Sequence, residues 1–146
     1  MSKVSIYLNF PNQTEEAFLF YRSVFGGEFS PPGIYRFGDM PPQADDPPLP
    51  DHLKNGVMHV ALPIMDGFLL MGTDAPPEFG FKVNMGNNMY INLSPDTRQE
   101  TDRLFSALSD GGAVEQPLQE MFWGAYYGSL TDKYGVRWMF NCESKE

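Results

Sequence analysis

The sequence predicts an α+β fold made of two β-α-β-β-β modules in tandem, and three observations carry that reading. The first is an echo. Tyr7-Leu8-Asn9-Phe10 returns as Tyr90-Ile91-Asn92-Leu93 at an offset of 83 (90 − 7), Phe20-Tyr21 as Leu104-Phe105 at 84 (104 − 20), and Gly26-Gly27 as Gly111-Gly112 at 85 (111 − 26). The drift is one residue at a time, as short loop insertions produce, and the order strand, helix, Gly-Gly stop is kept. The second is that helical spacing alternates with β-branched and aromatic runs of strand length. The third is the passage from Gln119 to Asn141. Phe122-Trp123-Gly124-Ala125-Tyr126-Tyr127-Gly128 leads into the polar turn Asp132-Lys133-Tyr134-Gly135 and then Trp138-Met139-Phe140, which reads as two strands joined by a hairpin. Such a hairpin needs a partner surface to bury its rings, so it forms the wall of a cavity or the middle of a core.

Taken in order, Val4 to Phe10 reads as a strand ended by Pro11. A helix follows, with Asn12 as N-cap and Glu15 completing a capping box. Ala17, Phe20, Tyr21, Val24 and Phe25 form its buried face until Gly26-Gly27 stops it. Glu28 to Phe37 reads as an edge strand interrupted by Pro31-Pro32-Gly33. Gly38 to Asn55, rich in Pro and acid, is too long for an ordinary connection, and reads either as a lid, with Met40 and the prolines closing over a site, or as a solvated insertion. His52 within it is expected to be exposed. Val57 to Ile64 and Phe68 to Met71 pair through the Met65-Asp66-Gly67 turn. Module 1 thus covers about 1–72, a linker about 73–87 and module 2 about 88–146. In the second module Ser94 is the expected N-cap, with Pro95 at the first helical position, and Ala113 to Glu120 precedes the aromatic hairpin.

Composition narrows the function. At 146 residues, 42% hydrophobic and 14% aromatic, the chain can bury a core as one domain or two small fused units. A net charge of -9 argues against sequence-independent nucleic-acid binding, which needs Lys and Arg clusters, and against an anionic membrane surface. Met1-Ser2-Lys3-Val4 lacks the apolar run of a signal peptide and no stretch is long enough to span a bilayer, so a cytoplasmic protein is expected. Cys142, the one cysteine, reads as a small buried hydrophobe near the last strand.

Four stretches carry a family resemblance. They are Ala17-Phe18-Leu19-Phe20-Tyr21 with Val24-Phe25-Gly26-Gly27; Phe37-Gly38-Asp39-Met40-Pro41; Gln119-Glu120-Met121-Phe122-Trp123-Gly124; and Leu130-Thr131-Asp132-Lys133-Tyr134-Gly135-Val136-Arg137-Trp138-Met139. Together they resemble the vicinal oxygen chelate superfamily of glyoxalase, bleomycin-resistance and fosfomycin-resistance proteins, and more narrowly its PhnB-like branch. The resemblance implies a curved mixed sheet around a cleft with helices on the outer face, and pairing into homodimers. It also implies places for a divalent metal: His or Glu on each module's first strand, and Glu four residues after each hairpin Gly. Here the first places hold Ile6-Tyr7 and Met89-Tyr90, and the second hold Met71 and Met139. Thioethers are poor ligands for Mg²⁺, Mn²⁺ or Zn²⁺, so no metal and no cofactor is expected at the usual place, and a substitute site on His59 and Glu120 stays open. Relatives in this branch often carry the name of ubiquinone-pathway methyltransferases. A methyl-donor fold, however, places a Gly-rich loop between a strand and a helix, whereas Gly26-Gly27 ends a helix.

His59 and Glu120 are the acid-base candidates, each on a strand of a different module. Each also has a plainer reading, His59 as a hydrogen-bonded core residue and Glu120 as a solvated strand end. Trp123, Tyr126 and Tyr127 are candidates to stack on a flat or apolar ligand, with Met71 and Met139 beside them and Arg137 available for an anionic group; core stacking is the alternative for the aromatics and a solvent-facing strand position the alternative for Arg137. Three functional readings follow: a metal-independent enzyme using His59 and Glu120, a binding or sequestering protein for a small organic molecule, and an interaction protein whose cleft is filled by side chains.

Overall fold

Each half of the chain builds the same four-stranded mixed sheet with one long helix on one face. A computed structural model describes residues 2–41, 45 and 47–146, in two units that divide between Val83 and Asn84. The first contains β1 (Ile6–Phe10), α1 (Thr14–Phe25), β2 (Tyr35–Arg36), the one-turn α2 (Asp51–Lys54), β3 (Val57–Ile64) and β4 (Phe68–Asp74). The second contains β5 (Ile91–Leu93), α3 (Arg98–Ser109), β6 (Ala113–Glu120), β7 (Tyr126–Thr131) and β8 (Arg137–Cys142). Strand orders are β1-β4-β3-β2 and β5-β8-β7-β6. In each, the first strand runs parallel to the last and every other pairing is antiparallel. The tandem α+β architecture read from the sequence is the one observed.

Alternation along the strands sets one face of each sheet against its helix. In the first unit Phe10, Val60, Leu62 and Leu70 are 0% exposed, and α1 packs on β3 and β4. Burying each such side chain stabilises the fold by about 1.5–3 kcal/mol. In the second, Trp138, Phe140 and Cys142 are 0% exposed, and Phe105 of α3 meets Phe140 edge-to-face at 5.4 Å. Cys142 is the buried small hydrophobe that the sequence suggested.

Several local expectations are corrected. The buried face of α1 is Thr14, Ala17, Phe18, Tyr21 and Val24, so Phe18 takes the place expected for Phe20 and Phe25, which remain part-exposed. Its N-cap is Gln13 and makes no side-chain cap bond. Instead the Thr14 amide donates to Asp74 Oδ1 of β4 at 3.1 Å, a cap sixty residues away in sequence that frees Asn12, while Glu15 turns to Arg36. Likewise α3 starts at Arg98, with Thr97 and not Ser94 as N-cap, its side chain accepting from Glu100 N. The expected edge strand shrinks to Tyr35–Arg36, with the Ser30 amide donating to the Ala61 carbonyl ahead of it, because the prolines remove ladder donors. Strand β4 runs on to Asp74. The Pro-rich stretch contributes a 3-10 turn at Phe37–Asp39 and α2; Pro42, Gln43, Ala44 and Asp46 of the suggested lid lie outside the described residues. Among the described residues no helix is long and apolar enough to cross a membrane.

Candidate functional site

The face of each sheet turned away from its helix collects most of the candidate side chains. In the first unit Tyr7 pairs with Met71, Ala61 with Met71, and Tyr35 with His59. Paired residues share a face, so Tyr7, Tyr35, His59 and Met71 stand together opposite α1. The Tyr7 hydroxyl lies 3.3 Å from His59 Nδ1 and the two rings are 5.7 Å apart, tilted by 35°. His59 is thus neither in the core nor alone. Its partner is a phenol, and the tautomer decides which of the two donates. Tyr7 itself is 45% exposed.

In the second unit Met139 pairs with Asn92 and Ser129, and Arg137 with Thr131, again on the face away from the helix. Tyr127 pairs with Asn141 on that face and meets Trp123 edge-to-face at 6.1 Å. Trp123, in the turn between β6 and β7, also meets Phe122 at 5.0 Å; the two are 52% and 97% exposed. Arg137 is not a solvated strand residue. Its guanidinium donates to Glu115 Oε2 and Thr131 Oγ1, both at 3.0 Å, and to the Gly86 carbonyl at 3.0 Å, while the Tyr90 hydroxyl donates to the same Glu115 carboxylate at 3.0 Å.

Two candidates fall on the other side. Tyr126 pairs with Cys142, so the pleat turns it toward α3. There its hydroxyl donates to Asp102 Oδ1 at 2.6 Å, and the Arg98 guanidinium lies 4.9 Å from its ring centroid. The Asp102 carboxylate, first, and burial raise the Tyr126 pKa above 10.0. Glu120 pairs with Tyr126 and goes with it: Lys145 Nζ donates to Glu120 Oε1 at 2.7 Å and Arg98 at 3.2 Å. These two cations, Lys145 foremost, hold its carboxyl below the ordinary 4.5. A carboxylate so stabilised is a weak proton acceptor near neutral pH. Parity of the strands therefore removes both residues from the His59-type face. The sequence reading missed Tyr7 as a partner for His59; its signal was the Tyr7–Tyr90 echo, read only as a repeat.

The hairpin-glycine positions and the first strands do meet, as the resemblance implied, but they bring Tyr7 to Met71 and Asn92 to Met139. Phenol, thioether and carboxamide are not the donor set of Mg²⁺, Mn²⁺ or Zn²⁺. Among the described residues no group of three or more His, Cys, Asp or Glu could hold a metal ion.

Residues 2–140 match the family described as 3-demethylubiquinone-9 3-methyltransferase. The chain belongs to this family. It is 31% identical to Protein YjdN of Escherichia coli (strain K12), over 94% of this chain and 93% of that one. Among solved structures it is similar to protein PA1353 from Pseudomonas aeruginosa (36% identity, 97% and 98% of the two chains, TM-score 0.78). It is also similar to the PhnB protein from Bacillus cereus (27%, 97% and 99%, TM-score 0.71). A glyoxalase/bleomycin resistance protein/dioxygenase family enzyme from Burkholderia phytofirmans shares the fold (14%, 96% and 97%, TM-score 0.60). The family is therefore PhnB-like, and the chain shares its fold with glyoxalase/bleomycin resistance proteins. Its name speaks of methyl transfer, yet in this member Gly26 is the C-cap of α1, and Gly26 and Gly27 take φ of 80° and 81° to turn the chain out of the helix. They form no cofactor loop between a strand and a helix, and neither sheet is the doubly wound parallel sheet such a loop requires.

Proposed function

We propose that this family member binds a small organic molecule on the open sheet faces, without the divalent metal of its superfamily, and acts as a binding or sequestering protein. The observation that supports this most is the exchange at the paired strand positions. Where a chelating set would stand are Met71 and Met139, with Tyr7 opposite Met71 in the first unit and Tyr127, backed by Trp123, on the same face as Met139 in the second. Thioethers and half-exposed aromatic rings suit a flat or apolar guest, since each gives contact area and polarizability at low conformational cost. The test is a compound library titrated against intrinsic fluorescence. Trp138 is buried and Trp123 half-exposed, so a binder quenches the Trp123 component. Trp123→Ala is expected to weaken such a binder about tenfold, roughly 1.4 kcal/mol. A library without a binder, or binding untouched by Trp123→Ala, overturns the reading.

A second reading rests on the 3.3 Å approach of the Tyr7 hydroxyl to His59 Nδ1: metal-independent proton transfer with His59 as base and Tyr7 as its relay. Glu120 has no part in it. His59→Gln should then abolish turnover of a bound compound while leaving its affinity within a few fold, and Tyr7→Phe should shift the pH profile; turnover unchanged in both variants removes this reading. We also propose that the chain is cytoplasmic and that it pairs as a homodimer, the pairing supported by the exposure of Val4 (84%), Met89 (68%) and Phe122 (97%). Light scattering at micromolar concentration that gives the mass of one chain contradicts it.

A further inference from the structure

Helix α1 begins beside a recess of about 210 Å³ that shares no side chain with the open sheet faces. That is several times the ~30 Å³ share of a water molecule in the liquid, room for a small organic molecule. Its wall includes Asn12, Glu15, Phe37, Leu53, Asn55 and Asp74. Asp74 is 8% exposed. Its two oxygens accept only neutral backbone donors, the amides of Thr14 at 3.1 Å and Val57 at 2.8 Å, and among the described residues no cationic side chain lies within ion-pair distance of it. The nearby Arg36 guanidinium grips both oxygens of Glu15, at 2.8 and 2.9 Å, and the Asn55 carbonyl at 2.7 Å, and meets the Asp74 charge only through space. His52 is likewise held, its Nε2 2.9 Å from Glu78 Oε2. The side-chain carboxamides of Asn12 and Asn55 make no hydrogen bond with the described residues, and each offers an acceptor oxygen. The buried ring of Phe37, braced edge-to-face by Phe79 at 5.1 Å, adds a π surface.

We propose that this recess is a binding site for a small organic cation of the alkylammonium class. Asp74 supplies the opposing charge, the Asn12 and Asn55 carboxamide oxygens accept N–H hydrogen bonds, and Phe37 lies against the alkyl or cationic end. The net charge of -9 favours the same sign of ligand at longer range. The site shares no residue with the open-face reading, so each stands or falls alone.

The probe is ethylammonium, with acetamide and acetate as neutral and anionic counterparts of similar size, titrated at constant ionic strength into ¹⁵N-labelled full chain. Saturable shifts of the Asn12 and Asn55 side-chain NH₂ signals are expected with ethylammonium alone. Asp74→Asn should weaken them at least tenfold. Because Asp74 also caps α1, a second variant, Leu53→Trp, fills the recess without touching the cap and should abolish them. No saturable shift with ethylammonium, equal shifts with acetamide or acetate, or shifts that persist in Leu53→Trp overturn the proposal.

Discussion

Two buried aspartates carry much of the local order, and each does so by gathering backbone donors that the fold would otherwise strand. Asp74 ties the start of α1 to the start of β3. Asp132, 3% exposed, accepts from the amides of Tyr134 at 2.8 Å and Val136 at 3.1 Å and from Trp138 Nε1 at 2.9 Å, closing the β7–β8 turn around the buried indole. Asp132→Ala should cost at least ~3 kcal/mol, since it leaves buried donors unpaired, and denaturant midpoints read by Trp138 emission will show it. Glu15 sets an acid-dependent contribution. Its hydrogen bonds with Arg36 hold its carboxyl below 4.5. A carboxyl depressed on folding contributes stability that is present above the unfolded value and lost as pH falls through the lower folded value. Wild-type chain should therefore lose more stability than Arg36→Met as pH drops below 4.5, by a small margin because the pair is partly exposed and solvent-screened; equal acid limbs would contradict the assignment. At this scale the sequence showed the Asp-x-x-Gly turn and the Cys142 burial. It hid the Asp74 cap, because a capping group sixty residues away leaves no mark near Thr14.

At the scale of elements, a glycine decides how closely α1 approaches its sheet. A Cβ on Gly72 of β4 would lie 2.5 Å from Phe18 Cε1, and Phe18 is 0% exposed, so the ring has no free direction in which to yield. Gly72→Ala should destabilise the chain by about 1–3 kcal/mol. Adding Phe18→Leu should recover part of that loss, and full additivity of the two changes in thermal unfolding would show that the contact does not exist. The same contact explains a misreading. Helical spacing in Ala17 to Phe25 allows either Phe18 or Phe20 on the buried stripe, and only the gap above Gly72, invisible to periodicity, selects Phe18. Strand elements were legible where alternation was clean, as in β8, or where an apolar run was closed by a turn signal, as in β3. Strand β2 was not, because Pro31-Pro32-Gly33 leaves only two residues to pair.

Over the whole molecule, the repeat read from three echoes holds in topology, while the pairing register differs between its copies. Counting four residues from each hairpin glycine, Met71 meets Tyr7 but Met139 meets Asn92, whereas the sequence echo aligns Tyr7 with Tyr90. The difference is two residues, an even number, so every side chain keeps its face. That parity is why Met71 and Met139 both stay on open faces, and it also carries Tyr126 and Glu120 toward α3. Residue types were legible in the sequence and faces were not: adjacent Tyr126 and Tyr127 look interchangeable until the pairing with Cys142 and Asn141 separates them. The central claim is that the open faces take an organic guest without a divalent metal. It is tested most directly by titrating compounds, with chelator present, into chain labelled with ¹³C at the methionine methyls. A compound should saturably shift the Met71 or Met139 methyl with chelator present. Binding that appears only after Mn²⁺ or Zn²⁺ is restored, or that shifts only methionines elsewhere, would contradict it.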